Sequence, residues 1–466
     1  MKRNIAVYLS LLITSIYIIA IVGATGCANM IPPTGGPRDS LPPVLIAASP
    51  NDSATSFTGN RVVLNFNEYV EIDNPSENVL VSPTPVNAPL IERKLRTISV
   101  KLRDTLEPST TYSINFGNAI KDLNEGNVFK NFTYIFSTGS TIDQNTFSGK
   151  VIVAETGSTD STLLAVLHRN LDDSAVSKEK PRYIARLDSS GNFQFRNLPK
   201  GTFAVYVIPN EYSKRYDDTT KLFAFADKPV TITEETSPVT LYAFSLPKQV
   251  PAVPAPPTAA TGRDKLLRYN TSLESNKQDL LTPLHLNFVR KVSFDSTKIV
   301  LTDKEFKPLT NYQLIADTNR TRFTIRYSWP ANTEFNLLLG KEAFRDSAGT
   351  TLAKDDTIRF ITKTPAEYGS VRLRFRNLDL SKNPVLQIVQ GEQVIEGIPL
   401  TVTDFSRKLF QPGEYAMRLL YDTNKNGVWD AGKFYGTRRQ PEVVISLNTP
   451  LSVRANWDNE KDISLK

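Results

Sequence analysis

The stretch "YDTNKNGVWDAGK" (421–433) carries the sharpest chemical pattern in the chain. Asp422, Asn424 and Asn426 alternate, Gly427 permits a sharp turn, Val428 can offer its carbonyl, and Asp430 follows. Oxygens arranged in that order in a tight loop are what a calcium ion requires. Lys433 stands where such a loop needs a bidentate carboxylate, so an important ligand is missing. The same residues suit a metal-free Asx/Gly turn between two strands. Weakly bound structural calcium is the one cofactor that the residues suggest.

A second loop, "NEYSKRYDD" (210–218), has Asn210, Tyr212 and Lys214 where the first has Asp422, Asn424 and Asn426. Tyr212 and Tyr216 in one loop, and Trp429, Phe434 and Tyr435 in the other, could stack on sugar rings. The competing reading is that these aromatics fasten each loop to the body beneath it. Arg372, Arg374 and Arg376 form a one-sided basic row, suited either to anions or to a solvated strand face. Asp122 and Glu125 in "KDLNEGN", and Asp346 in "RDSAGT", fit strand-connecting turns.

Catalysis finds little support. The two histidines, His168 and His285, are far apart in sequence, and the single cysteine is Cys27. No nucleophile elbow, H-E-x-x-H pair or phosphate-cradling glycine loop occurs. The expectation is a protein without enzymatic activity. Net charge is +7 and falls to +5 without Lys2 and Arg3, too diffuse for nucleic acid.

The elements that position these residues read as strands. Ile98, Val100 and Leu102 alternate with polar neighbours, as do Phe323, Ile325, Tyr327 and Trp329, and Val371, Leu373 and Phe375. Period-two alternation buries one face and wets the other. The 30 prolines and 17 tyrosines against 3 methionines point the same way. At 466 residues, 40% hydrophobic and 22% charged, the chain is globular and long enough for roughly three or four domains.

The chain also repeats itself. "VVLNFNEYVEID" (62–73) parallels "LHLNFVRKVSFD" (284–295), and 111–138 parallels 333–362. "DSSGNFQFRNLPKGTFAVYVI" (188–208) parallels "TDFSRKLFQPGEYAMRLL" (403–420). Leu64 to Leu286 is an offset of 222 and Leu198 to Phe410 one of 212, so a two-module block is duplicated, in the order A–B–A–B. The fold expected is all-β, tandem β-sandwiches, with modules at 44–140, 145–246, 265–363 and 367–466. A Pro-rich linker at 247–264 would act as a semi-rigid spacer, giving an articulated rod.

The N-terminus reads as an export signal: Lys2 and Arg3, an apolar run from Ile5 to Val22, then small residues. "ATGC" resembles the lipobox of bacterial lipoproteins, with Ala24 where Leu or Val is usual. That resemblance implies a signal peptide at 1–26 and a lipid-modified Cys27 at the head of a Pro/Gly-rich tether (27–43). Further on, "PTGGPRDSLPP", "NEYVEI", "TTYSINFGNAIKDLNEGN" and "FTYIFSTG" resemble lipoproteins of Bacteroidetes-type bacteria that carry a bacterial Ig-like domain of the SbsA-like kind. "SGKVIVAETG" and "SGNFQFRNLPKGTFAVYVI" resemble the prealbumin-like, carboxypeptidase-regulatory-type sandwich that often follows. The resemblance implies an envelope lipoprotein with tandem β-sandwiches; the expectation is a monomer at the outer membrane, anchored by lipid on Cys27. Ala28, Asn29 and Met30, rather than acids, follow the cysteine and favour the periplasmic side. The function expected is a non-catalytic scaffold or spacer that organises envelope partners. The alternative is a glycan- or peptidoglycan-binding module using the loops of the two prealbumin-like units.

Overall fold

A computed structural model describes residues 9–18, 38–247 and 266–465. Cys27, most of the segment expected to be a signal peptide (1–26), the greater part of the expected tether (27–43) and nearly all of the Pro-rich linker (247–264) lie outside the described residues. Residues 9–18 are helical, and among the described residues no helix is long and apolar enough to cross a membrane. From residue 38 onward the described chain is strand, with helices of a single turn such as Pro75–Asn78 and Ala175–Lys178. It is a series of tandem β-sandwiches, divided into two compact units: residues 1–81 with 87–140, and residues 82–86 with 141–466.

In the first unit, strands Leu45–Ser49, Arg61–Phe66, Thr97–Lys101 and Leu90–Lys94 form one sheet in that order. It packs on a sheet of Leu80–Ser82, Thr111–Gly117 and Phe132–Ser137. Arg61–Phe66 shows why the pattern works: Val62, Leu64 and Phe66 are buried, while Arg61, Val63 and Asn65 face outward. The core they enter holds Ile98, Val100, Ile114, Phe116, Tyr134 and Phe136.

The second unit holds three sandwiches. One of them repeats the first unit's logic. Tyr269–Thr271, Leu284–Phe288, Arg322–Arg326 and Gln313–Ala316 face a sheet of Lys277–Gln278, Asp356–Thr362, Glu334–Leu339 and Ile299–Asp303. Even the small two-stranded ribbon recurs: Val70–Ile72 with Ile120–Asp122 in the first unit, Val292–Phe294 with Phe344–Asp346 here.

The other two sandwiches also share one topology. In each, a three-stranded sheet joins an antiparallel and a parallel pair. It is Asn192–Leu198, Asn145–Val153 and Val239–Ala243 in one, and Asp404–Phe410, Gly369–Arg376 and Asp458–Ser464 in the other. The opposing sheets contain Tyr183–Arg186, Leu163–His168 and Gly201–Pro209, and Gln393–Pro399, Pro384–Gln390, Gly413–Tyr421 and Val443–Val453. The duplication written in the sequence is therefore also present in strand order.

One feature departs from alternation. Every residue of Leu163–His168 is buried, as are Phe203 to Ile208. A sheet buried on both faces reads as a continuous apolar run, and something must cover its outer face.

Candidate functional site

Part of the cover is the loop that follows Gly413–Tyr421. Phe434 is 5% exposed and meets Tyr206 at 5.5 Å between ring centroids, Phe223 at 5.0 Å and Phe225 at 5.2 Å. These three rings stand on the outer face of the neighbouring sandwich's sheet. Arg438, four residues on, pairs with Asp173, donating from Nε at 3.2 Å and also from Nη2. Its guanidinium lies 5.1 Å from the centroid of the Phe434 ring and 5.9 Å from that of Phe225. Gln440 Nε2 donates to the Phe225 carbonyl at 3.1 Å and to Asp227 Oδ1 at 2.7 Å. The Val444 amide donates to the Ala154 carbonyl at 2.9 Å. A Cβ at Gly432 would sit 2.6 Å from the Phe244 ring, so only glycine allows the loop this close. The second and fourth sandwiches are thus fastened directly to each other. They do not behave as separate beads of an articulated rod, because an apolar sheet face on one needed the aromatic loop of the other.

The sugar-stacking candidates fall in different places. Tyr216 is 4% exposed and stacks on Phe223 at 3.9 Å, so it is core, and burial pushes its hydroxyl pKa up. Trp429 is half-buried; its Nε1 donates to the Glu442 carbonyl at 2.7 Å and its ring covers Val385, Leu420 and Val444. Tyr435 is exposed and meets Phe434 edge-on, and Tyr212 stands fully in solvent. These four do not form one aromatic platform: burying the outer sheet faces claimed Tyr216 and most of Trp429.

The calcium candidates do come together, but they satisfy one another. Asp422 is 2% exposed. Its Oδ1 accepts from the amides of Lys425 at 2.6 Å and Asn426 at 3.3 Å, and its Oδ2 from Gly427 at 2.7 Å. Asn424 and Asn426 each donate a side-chain amide to Asp430 Oδ2 at 2.7 Å. Their Oδ1 atoms accept from the amides of Asn426 and Val428. The Val428 side chain is exposed. Glu442, which the sequence pattern did not single out, closes the loop. It is 7% exposed, its Oε1 accepts from the Thr423 amide at 2.7 Å and hydroxyl at 2.5 Å, and its Oε2 from the Asp430 amide at 3.1 Å. No local motif marks Glu442, because it lies beyond the loop at the start of the next strand. Among the described residues no group of three or more His, Cys, Asp or Glu could hold a metal.

The same device recurs. Asp122 is 1% exposed and accepts from the amides of Glu125, Gly126 and Asn127. Burial works against its charge, yet the amides outweigh it and hold the carboxyl below its ordinary range. Asp346 accepts from the amides of Ala348 and Thr350 and from Arg290 at 3.1 Å, with the same result.

The arginine row is neutralised across the sheet. Arg372 meets Asp404 at 2.8 Å, Arg374 meets Glu460 at 2.5 Å, and Arg376 lies 3.7 Å from Asp462. The histidines occupy different sandwiches. His168 is 2% exposed, its Nε2 meets no partner, and burial lowers its pKa to about 4. His285 is half-buried, with Nδ1 3.0 Å from the Thr324 hydroxyl. Neither is paired with a carboxylate as a general base would be.

This strand order, with sandwiches in series and side chains committed to packing and turns, defines a multi-module β protein. Residues 39–138, the first sandwich, match the family model of a bacterial Ig-like domain. No curated protein matches the chain. Among solved structures it is similar to the TIE protein of Bacillus anthracis, at 10% identity over 93% of this chain and 75% of that one, with a TM-score of 0.17. It is also similar to BcpA, the major pilin subunit of Bacillus cereus, at 8% identity over 68% and 99%, TM-score 0.18. The S-layer protein rSbsC(31-844) gives 10% identity over 90% and 54%, TM-score 0.16. Superpositions this loose carry no argument about what this chain does.

Proposed function

We propose that the chain is a non-catalytic structural protein of the bacterial cell envelope, moored by lipid on Cys27 to the periplasmic face of the outer membrane. The observation that carries the structural reading is the fastening of the second and fourth sandwiches by Phe434 and Arg438. Within the 422–442 loop, Phe434, Arg438 and Gln440 are committed to joining two sandwiches rather than to a reaction centre. The bacterial Ig-like match over 39–138 and the "ATGC" box at 24–27 support an envelope location. One acyl chain binds a membrane only marginally, so stable mooring takes two or more.

The test is fractionation of cells expressing the full chain or Cys27→Ser, with mass spectrometry of the mature N-terminus. The expected result is acylated Cys27 in the outer-membrane fraction and a soluble variant. An unmodified thiol, or wild-type protein free of membranes, overturns the mooring. Protease added to intact and to permeabilised cells then reads the side: protection only in intact cells is expected. The structural role predicts chemical cross-links to other envelope proteins; their absence would sink it.

A further inference from the structure

An open cleft of about 1020 Å³ lies beside the junction of the second and fourth sandwiches. That is at the upper end of the range for small-ligand clefts, about 300–1,000 Å³. Ile152 and Tyr242 line it from one sandwich; Lys382, Tyr421, Asp430 and Arg439 line it from the other. Its charges are unequally committed. Asp430 Oδ2 is occupied by two asparagine amides, whereas no described group donates to its Oδ1. Glu442, also in the wall, has both oxygens engaged. Arg439 spends one Nη2 bond on the Ala431 carbonyl at 2.9 Å, and no described carboxylate pairs with it. Lys382 lies 5.3 Å from the Tyr421 ring centroid and 3.5 Å from Asp379.

A guanidinium without a counter-ion, in a cleft with tyrosine walls, suits a planar carboxylate on a ring-shaped, partly apolar body. The open Asp430 Oδ1 suits a hydroxyl donor. We propose that this cleft binds an acidic saccharide, a sugar chain carrying carboxylates, with Arg439 on the carboxylate, Lys382 beside it and Asp430 accepting from a hydroxyl. Tyr242 and Tyr421 supply walls for the C–H faces of the rings. This site is separate from the loop aromatics Tyr212 and Tyr435 and does not depend on the mooring or the scaffold role.

The experiment is titration calorimetry on the full chain with trigalacturonate, maltotriose and inorganic phosphate. Saturable binding of trigalacturonate is expected, with Arg439→Gln weakening it by about tenfold or more, the loss of one charge-assisted hydrogen bond. Arg439 is exposed, so the melting temperature of the variant should match wild type; Arg439→Lys should recover part of the affinity. The proposal is overturned if trigalacturonate shows no saturable binding, if maltotriose or phosphate alone binds equally well, or if Arg439→Gln binds undiminished.

Discussion

The Phe434 ring meets that of Phe223 at 5.0 Å and an interplanar angle of 64°, although the two belong to different sandwiches more than 200 residues apart. Five residues earlier in the same loop, Trp429 packs on its own sandwich, over Val385, Leu420 and Val444. One loop therefore packs against two sandwiches at once.

Truncating that contact should be costly. Phe434→Ala is expected to destabilise the junction by about 3–5 kcal/mol, the usual cost of emptying a buried aromatic site. Thermal and urea melts of the full chain check this. Tyr212→Ala, in solvent, should leave both unchanged; an equally stable Phe434→Ala would mean that the two sandwiches hold together without the loop.

Gly432 offers a test of close approach. Adding one methyl places a Cβ 2.6 Å from the Phe244 ring, so the ring or the loop must move apart. Gly432→Ala should cost about 1–3 kcal/mol and raise the rate of limited proteolysis within the 422–442 loop. Wild-type cleavage kinetics would contradict the packing.

The Asp422 carboxylate is spent on three backbone amides, so calcium has little left to coordinate. Neither calcium nor a chelator should move the melting midpoint. Asp422→Ala should lower stability by about 1–3 kcal/mol, because it leaves buried amides unsatisfied. A midpoint that rises with added calcium would restore the metal reading of this loop.

His168 predicts a pH dependence. Its folded pKa is lowered by burial to about 4, against about 6.5 in an unfolded chain. As pH falls below about 6.5 the unfolded state takes up the proton first, so stability drops progressively until about pH 4. The contribution is present in full above the unfolded value and is on the order of 3 kcal/mol. Urea melts from pH 7.5 to 4 should show this slope, and His168→Phe should flatten it. An identical slope in the variant would assign the acid sensitivity elsewhere.

Much of the architecture is legible in the amino-acid sequence. Val62, Leu64 and Phe66, or Val371, Leu373 and Phe375, alternate with polar residues and lie buried as that period requires. Asp122 and Asp346 read as turn residues and are turn residues, since an aspartate a few residues ahead of a glycine can accept from two or three amides of the same turn. The runs "LLAVLH" and "FAVYVI" carry a further signal: apolar on both faces, they call for a cover on the outer face without naming it.

Local periodicity and internal repetition, then, determined that this is a chain of β-sandwiches with a duplicated plan, because strand formation and turn closure depend on residues a few positions apart. Only the tertiary structure decided that Phe434 is a plug, that Arg372, Arg374 and Arg376 are paired, and that no described carboxylate pairs with Arg439 in its cleft. Those outcomes depend on which surfaces meet across hundreds of residues, and burial against a distant sheet leaves no short-range pattern to read.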